Sequence, residues 1–396
     1  MHLRPDTLGM TALLAMLTAL GPLSTDLYLP SLPAMAASLA TTEAKVQLTL
    51  SAYLVGFAAG QIVYGPVSDH WGRKPVILTG LLIFCLASLA CAFTASIDTL
   101  IVARFMQALG AAGPIVLGRA IVRDLYDGSR AGKELSRMGM LMGIVPAIAP
   151  VLGGLLETAF GWRSAFWAIL TCGFCLMLAV TILLPESLRE RRAEPISVSS
   201  ILKGFAILLQ HRRYRLYIGL SGLTYAGLFC FISGSSFVLQ QSYGLTPLAF
   251  GLSFGLSVLG FITGTILAQR LVDSRGLDGT IALGVVFLAL GGCLMLLLML
   301  VGTGSSLEVT LSMAFYTAGV GLVLPQVNAS AMLPFPDRAG AASSLQGLVQ
   351  MGFAALVGSI FGSLLHLSPL LLPLFMACIG LLACVLYWTG LRRSTS

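Results

Sequence analysis

Charged and strongly polar residues interrupt this chain at widely spaced points, and the stretches between them set its plan. Nearly charge-free apolar runs cover residues 8–29, 46–66, 75–95, 99–121, 135–157 and 163–184. After a polar gap, six more cover 216–239, 247–269, 279–300, 308–327, 340–363 and 369–391. A bilayer's hydrocarbon core is about 30 Å thick and takes about 20 residues of helix to cross, so each run is long enough. The runs lack the polar alternation of barrel strands, and in lipid a helix bonds its own backbone groups internally. They predict an all-α integral membrane protein of twelve transmembrane helices. Small residues from Ala34 to Ala40 resemble a leader cleavage site, but the first run is too long for a leader's apolar core and contains Asp26. It is read as a retained span.

The polar gap, Glu186 to Arg215, falls near the middle of the chain. It predicts an N-terminal six-helix bundle over 1–188, a cytoplasmic linker over 189–214 and a C-terminal six-helix bundle over 215–396. Two halves of six spans invite a search for a repeat. Gly56, Phe57 and Gly60 in the second span return as Gly260, Phe261 and Gly264 in the eighth. Asp69 and Gly72 in the following loop return as Asp273 and Gly276, again at an offset of 204 residues. Transporters use pseudo-symmetric halves of this kind, with substrate held near the midplane. A merely stable bundle is the other reading, and intramembrane polar residues must separate the two.

Composition narrows the class. Of 396 residues, 57% are hydrophobic and 10% charged, against about a quarter charged in soluble domains. The net charge of +7 does not point to nucleic acid, because the basic residues sort by loop. With the N-terminus in the cytoplasm, every Lys and Arg except Lys45, Arg163 and the intramembrane Arg104 falls in or beside a cytoplasmic segment. That bias predicts both termini cytoplasmic. All eight cysteines lie in spans, where they read as packing. Cys172 and Cys175 are spaced as a redox or metal pair but have no His or acidic neighbour. The four His are scattered and no phosphate-binding loop motif occurs. The chain is expected to be no enzyme, to hold no cofactor or metal, and to draw its energy from an ion gradient.

Gly65, Asp69, Gly72, Arg73 and Lys74 stand at the intervals of the loop signature of the major facilitator superfamily, and Arg104, Gln107, Gly110 and Gly113 resemble its fourth-helix pattern. Gly143, Pro146, Pro150, Gly153 and Gly154 resemble the antiporter pattern of the fifth helix, with Ala149 where glycine is usual. The segments Asp26 to Pro33 and Pro185 to Ser187 are similar to the bicyclomycin and chloramphenicol resistance branch of drug:proton antiporters, and the likeness covers essentially the whole chain. The resemblance implies the major facilitator fold in a bacterial inner membrane. It implies a monomer whose partners are lipid, protons and small-molecule drugs. The implied activity is proton-driven export, by alternating access, of phenicol- or bicyclomycin-like compounds or cationic dyes. Transport of a small metabolite, outward or inward, is the other reading. The resemblance further implies a cytoplasmic latch of Gly65, Asp69, Gly72 and Arg73, with Arg73 near Asp124 and Asp69 near the start of the eleventh helix. The second copy has Leu277 and Asp278 at the positions of Arg73 and Lys74, so a latch there is degenerate. Some relatives carry a second acid where this chain has Thr18.

Charged groups in hydrocarbon are costly and usually face a cavity or a partner. Asp26 is read as a proton carrier or, alternatively, as an external cap of the next turn. Arg104, always charged, requires water, a carboxylate, or carbonyls such as those of a helix C-terminus. Where the two share a cavity, desolvation opposes charge on Asp26. A cation about 4 Å away favours that charge by about 4 kcal/mol at an effective dielectric of about 20. Tyr53, Phe57, Gln61 and Tyr64 share one face of the second span, as Tyr225 and Phe229 do in the seventh. With Gln107 and Met142 they are candidates for contact with flat, weakly polar ligands, plain packing being the alternative. In the fifth span, Gly143, Gly153 and Gly154 would allow close helix approach, and Pro146 and Pro150 favour a bend.

Overall fold

The computed structural model describes residues 7–126, 128–188, 198–302, 304–335 and 338–391, and among these the regular elements are helices. The chain divides into two compact units, one of Met1–Thr41 with Ala52–Ile196 and one of Thr42–Ser51 with Ser197–Ser396. In chain order the first helices are α1 (Leu8–Asp26), α2 (Leu32–Ser38), α3 (Glu43–Trp71), α4 (Arg73–Phe93), α5 (Ile97–Leu125), α6 (Gly128–Phe160) and α7 (Arg163–Leu183). There follow α8 (Val198–Gln210), α9 (Arg212–Phe237), α10 (Pro247–Val301), α11 (Leu307–Met332), α12 (Ala339–Leu364) and α13 (Leu371–Leu386).

Eleven stretches among the described residues are long and apolar enough to cross a membrane. One of them, α10, contains two crossings, because Gly276 takes φ 70° and ψ −179° and breaks the helix into two arms. The described residues therefore hold twelve spans, as the apolar runs predict. Two boundaries differ from the sequence reading. The polar residues from Arg270 to Arg275 stay helical, so the loop expected there shrinks to a turn at Gly276. The first span leaves α-helical form at Asp26 rather than at residue 29, then continues through a short 3-10 turn at Leu29–Ser31 into α2. Pro30 and Pro33 explain the break: each lacks an N–H to donate and crowds the preceding turn. The expected linker carries α8 over half of its length, while residues 189–197 of it lie outside the described residues.

The repeated glycines have one structural reason, met twice. A Cβ on Gly56 would overlap the carbonyl oxygen of Phe105, bringing α3 against α5, and one on Gly60 would lie 2.5 Å from Ala112 Cβ. In the second unit, a Cβ on Gly260 or Gly264 would overlap the carbonyl oxygens of Ala314 and Ala318, bringing the first arm of α10 against α11. Without a hydrophobic drive between helices in lipid, close backbone approach of this kind supplies the packing. The loop pair matches as well: Gly72 and Gly276 both take positive φ, 102° and 70°, a region that favours glycine.

Gly153 behaves as expected of the fifth span, since a Cβ there would overlap the Leu27 carbonyl oxygen and crowd Pro30 Cδ at 3.3 Å. Gly154 is buried beside it, and Pro146 and Pro150 lie within α6. Gly143 corrects the reading: a Cβ there meets nothing within 4 Å, so it makes no close approach. This contrast is testable. Gly260→Ala forces a methyl into a carbonyl and should destabilise by about 1–3 kcal/mol, whereas Gly143→Ala should leave stability unchanged or slightly raised. Thermal unfolding of the two variants in detergent, followed by native fluorescence, checks the difference.

Candidate coupling and substrate site

The break after Asp26 builds the first site. A helix end leaves its last four carbonyls without intrahelical partners and carries partial negative charge. In α1 these include Ser24, and Arg104 from α5 donates through Nη1 to the Ser24 carbonyl at 3.1 Å. The same nitrogen donates to Gln107 Oε1, and Gln107 Nε2 donates to Ser88 Oγ on α4 at 2.7 Å. Arg104 is fully buried. Its guanidinium lies 4.3 Å from the ring centroids of both Tyr28 and Tyr53, with Phe166 of α7 at 5.9 Å. Rings at that distance attract a cation, by about 2 kcal/mol or more when water is excluded. Nε and Nη2 of Arg104 have no hydrogen-bond partner among the described residues.

Tyr53 is held in turn by Ser24, the two hydroxyl oxygens sharing a hydrogen bond at 2.5 Å, and it donates weakly to the Gly21 carbonyl at 3.4 Å. Asp26 is buried at 6% exposure. Among the described residues its carboxylate makes no hydrogen bond or ion pair, so the Asp26–Arg104 pairing weighed from sequence is not formed in this structure. Arg104 takes a helix C-terminus and aromatic faces instead. Tyr53 lies within electrostatic reach of both charged groups. The broken end of α1 is also gripped by α6, through Gly153 against Leu27 and through Ser31 Oγ, which donates to Glu157 Oε2 at 2.5 Å. Thr18 is buried and spends its hydroxyl on the Leu14 and Ala15 carbonyls.

The remaining substrate candidates divide. Phe57 is buried and Gln61 half-buried. Tyr64 is packed between helices, its ring 2.7 Å from where a Cβ on Gly113 would lie. Phe229 is buried against Gly358 of α12 and Tyr225 is half-buried, while the side chain of Met142 lies outside the described residues. Sequence reasoning missed an amide cluster in the second unit. Gln346 donates to Asn328 Oδ1 and, at 3.5 Å, to Ser221 Oγ, which donates to Gln350 Oε1 at 3.3 Å. The available signal was the pair Gln346 and Gln350, one turn apart on an otherwise apolar helix.

A second cluster forms at the Gly72 turn. Arg73 donates through Nη1 to Asp69 Oδ1 at 2.6 Å and Ser68 Oγ at 2.5 Å, and through Nε to Asp124 Oδ2 at 3.0 Å. Gly65 contributes its carbonyl, which accepts from Ser68 Oγ at 2.7 Å; a Cβ there would meet open space. The first N–H groups of α4 are orphans, and Glu186 takes two of them: Arg73 N–H donates to Oε1 at 2.9 Å and Lys74 N–H to Oε2 at 3.2 Å. A carboxylate suits a helix N-terminus. Its neighbour Ser187 donates through Oγ to Asp124 Oδ2 at 3.0 Å. Gly72 is required twice over, by its φ and because a Cβ would lie 2.7 Å from Glu186 Oε2. Sequence reasoning used Glu186 as the start of the polar gap and as part of a family-like segment, not as a cap. At the matching place in the second unit, Tyr217 donates to Asp278 Oδ1 and Tyr387 to the Asp278 carbonyl, both at 2.8 Å.

Glu186→Ala should release the two α4 N–H groups and cost about 1 kcal/mol, the usual worth of a helix cap, while Glu186→Gln, which still accepts, should lose less. The order wild type, Gln, Ala in thermal midpoint checks it.

The model of the Major Facilitator Superfamily matches residues 14–359. Multidrug resistance protein D of Escherichia coli strain K12 is 30% identical over 395 residues, 99% of this chain and 98% of that protein. The bicyclomycin resistance protein homolog of Haemophilus influenzae is 29% identical over 351 residues, 89% and 88% of the two chains. Among solved structures, a D-xylose-proton symporter superposes with a TM-score of 0.81 over 96% of this chain and 97% of that one, at 16% identity. The match over most of the length, on a bundle of twelve spans, makes this chain a multi-pass membrane transporter, not an enzyme, and a member of the major facilitator superfamily.

Proposed function

We propose that the protein exports small amphipathic drugs from a bacterial cell across its inner membrane, exchanging them for protons by alternating access, with both termini in the cytoplasm. The observation that carries this reading is the pair of buried, separately housed charges in the first unit. Arg104 is clamped at the broken end of α1 with two nitrogens left over, and Asp26 is buried and forms no ion pair among the described residues. A carboxylate in that position has a charge that depends on its surroundings. A conformational change that wets Asp26, or brings a cation to it, changes its proton affinity, and linkage makes proton binding favour one conformation in return. That is what coupling to a proton gradient needs.

The substrate class follows from the surroundings. In the first unit Tyr53, Tyr28 and Phe166 gather aromatic rings around Arg104, and the second unit has its own amide cluster of Asn328, Gln346 and Gln350. Aromatic rings suit flat compounds, and neutral amides suit a few hydroxyl or amide groups. The names of the relatives, multidrug resistance and bicyclomycin resistance, support the same class. The Arg73 cluster is read as the latch that steadies one end of the first unit through the cycle.

Two outcomes test the proposal in proteoliposomes. Asp26→Asn should lose proton-gradient-driven efflux by about a hundredfold or more, about 3 kcal/mol of coupling, yet keep energy-independent exchange of substrate. Full gradient-driven efflux by this variant would remove Asp26 from the coupling role. Arg104→Lys keeps the charge but gives up the flat stacking of a guanidinium between two rings, and should weaken both exchange and efflux by about tenfold. The assay uses chloramphenicol or ethidium as substrate, with uncoupler as control. Uncoupler-insensitive accumulation of both compounds would sink the exporter reading.

A further inference from the structure

α8 is the one described helix of more than ten residues outside the candidate spans, and it has three faces. Phe205 and Leu208 are buried, at 8% and 0% exposure, and α8 packs on α9 and α12 of its own unit. One residue round the helix, Leu202, Ala206 and Leu209 follow each other at spacings of four and three and so form a single stripe. That stripe is exposed, with Leu202 at 60% and Leu209 at 39%. Lys203 and Gln210 occupy the face beyond it with Ile207 at its far edge, all three exposed. A helix in water would not present a leucine stripe between its packed face and its polar face.

The position of the helix says what covers that stripe. A single residue, His211, separates α8 from α9, which is a membrane span beginning at Arg212. The extended backbone at His211, φ −81° and ψ 112°, ends one helix and starts the other, and Arg215 Nη1 donates back to the Leu209 carbonyl at 2.8 Å, fastening the corner. α8 therefore lies at the level where a span leaves the hydrocarbon. The charges of this segment are of one sign. Lys203, Arg212, Arg213 and Arg215 fall between Val198 and Leu216 with no acidic residue among them, and Lys203, Arg212 and Arg215 are exposed.

We infer that α8 and the basic corner after it form a docking surface for anionic phospholipid of the leaflet on that side. The acyl chains cover the Leu202–Leu209 stripe, and the headgroup phosphates are held by Lys203, Arg212 and Arg215. An amphipathic helix with a leucine face and basic flank binds interfaces by this combination of burial and charge, and a basic cluster next to a span favours anionic over zwitterionic headgroups. The second unit is thereby tied to the membrane surface at its first span, by contacts independent of any drug or proton site.

Native mass spectrometry of the full chain, purified in mild detergent and supplied with phosphatidylglycerol or phosphatidylethanolamine, tests this. Phosphatidylglycerol should be retained in preference, and Lys203→Gln with Arg212→Gln should lower its retention by roughly fivefold for each residue removed. Lys133→Gln, an exposed lysine on α6 of the other unit, should not. Equal retention of the two lipids, or retention unmoved by the double substitution, overturns the inference. Depth is the second readout. A tryptophan at Leu209→Trp should be quenched by phospholipid brominated on its acyl chains, beyond the quenching of the parent protein, and absence of that increment would place the stripe away from lipid and likewise overturn it.

Discussion

In hydrocarbon an unpaired backbone N–H or C=O has no water to turn to and costs several kcal/mol. A helix escapes the cost along its length and meets it again wherever it stops. In this protein the groups of chemical interest stand where a helix stops. Pro30 and Pro33 end α1 as an α-helix at Asp26, and Arg104 takes one of the carbonyls left at that end. Gly72 separates α3 from α4, and Glu186 takes the N–H groups left at the start of α4. The charge in each case answers a backbone need, and the need fixes where the charge sits.

This accounts for the unequal treatment of two buried ionisable groups in one unit. Arg104 is stabilised from several directions at once, by a helix C-terminus, by Gln107 and by two aromatic faces, so its charge is compatible with complete burial. Asp26, two residues from the carbonyl that Arg104 binds, has none of this support among the described residues. Removing a partner from a buried charge is expensive, so a carboxyl without one favours its neutral form. Under the proposed function, permanence for the arginine and exchange for the aspartate would rest on the same few atoms.

The internal duplication shows which parts of such a bundle tolerate drift. Gly56 and Gly260, and Gly72 and Gly276, keep both identity and geometry, because a carbonyl pressed against a Cα and a positive φ admit little else. The polar loop residues have diverged. Arg73 gathers three side chains in the first unit, whereas the corresponding turn of the second is held by tyrosine hydroxyls on Asp278. Packing constraints admit one solution, and hydrogen-bonding constraints at a surface admit several.

Run length, charge placement and the 204-residue offset were legible in the chain itself, and with them twelve crossings and the Asp69-to-Arg73 turn. These are local or periodic properties, and a bilayer acts on each span separately. Tertiary structure alone decided which way each helix faces about its axis. That rotation makes Tyr53 a partner of Arg104 while Tyr64, on the same stripe, is spent against Gly113, and it leaves Gly143 free while Gly153 is pressed against Leu27. It also brings Glu186, more than a hundred residues away in sequence, onto the first turn of α4. Hydrophobicity sets only that a helix is in the membrane. Side-chain packing sets its rotation and depth, and the partners of every buried polar atom follow from those two quantities.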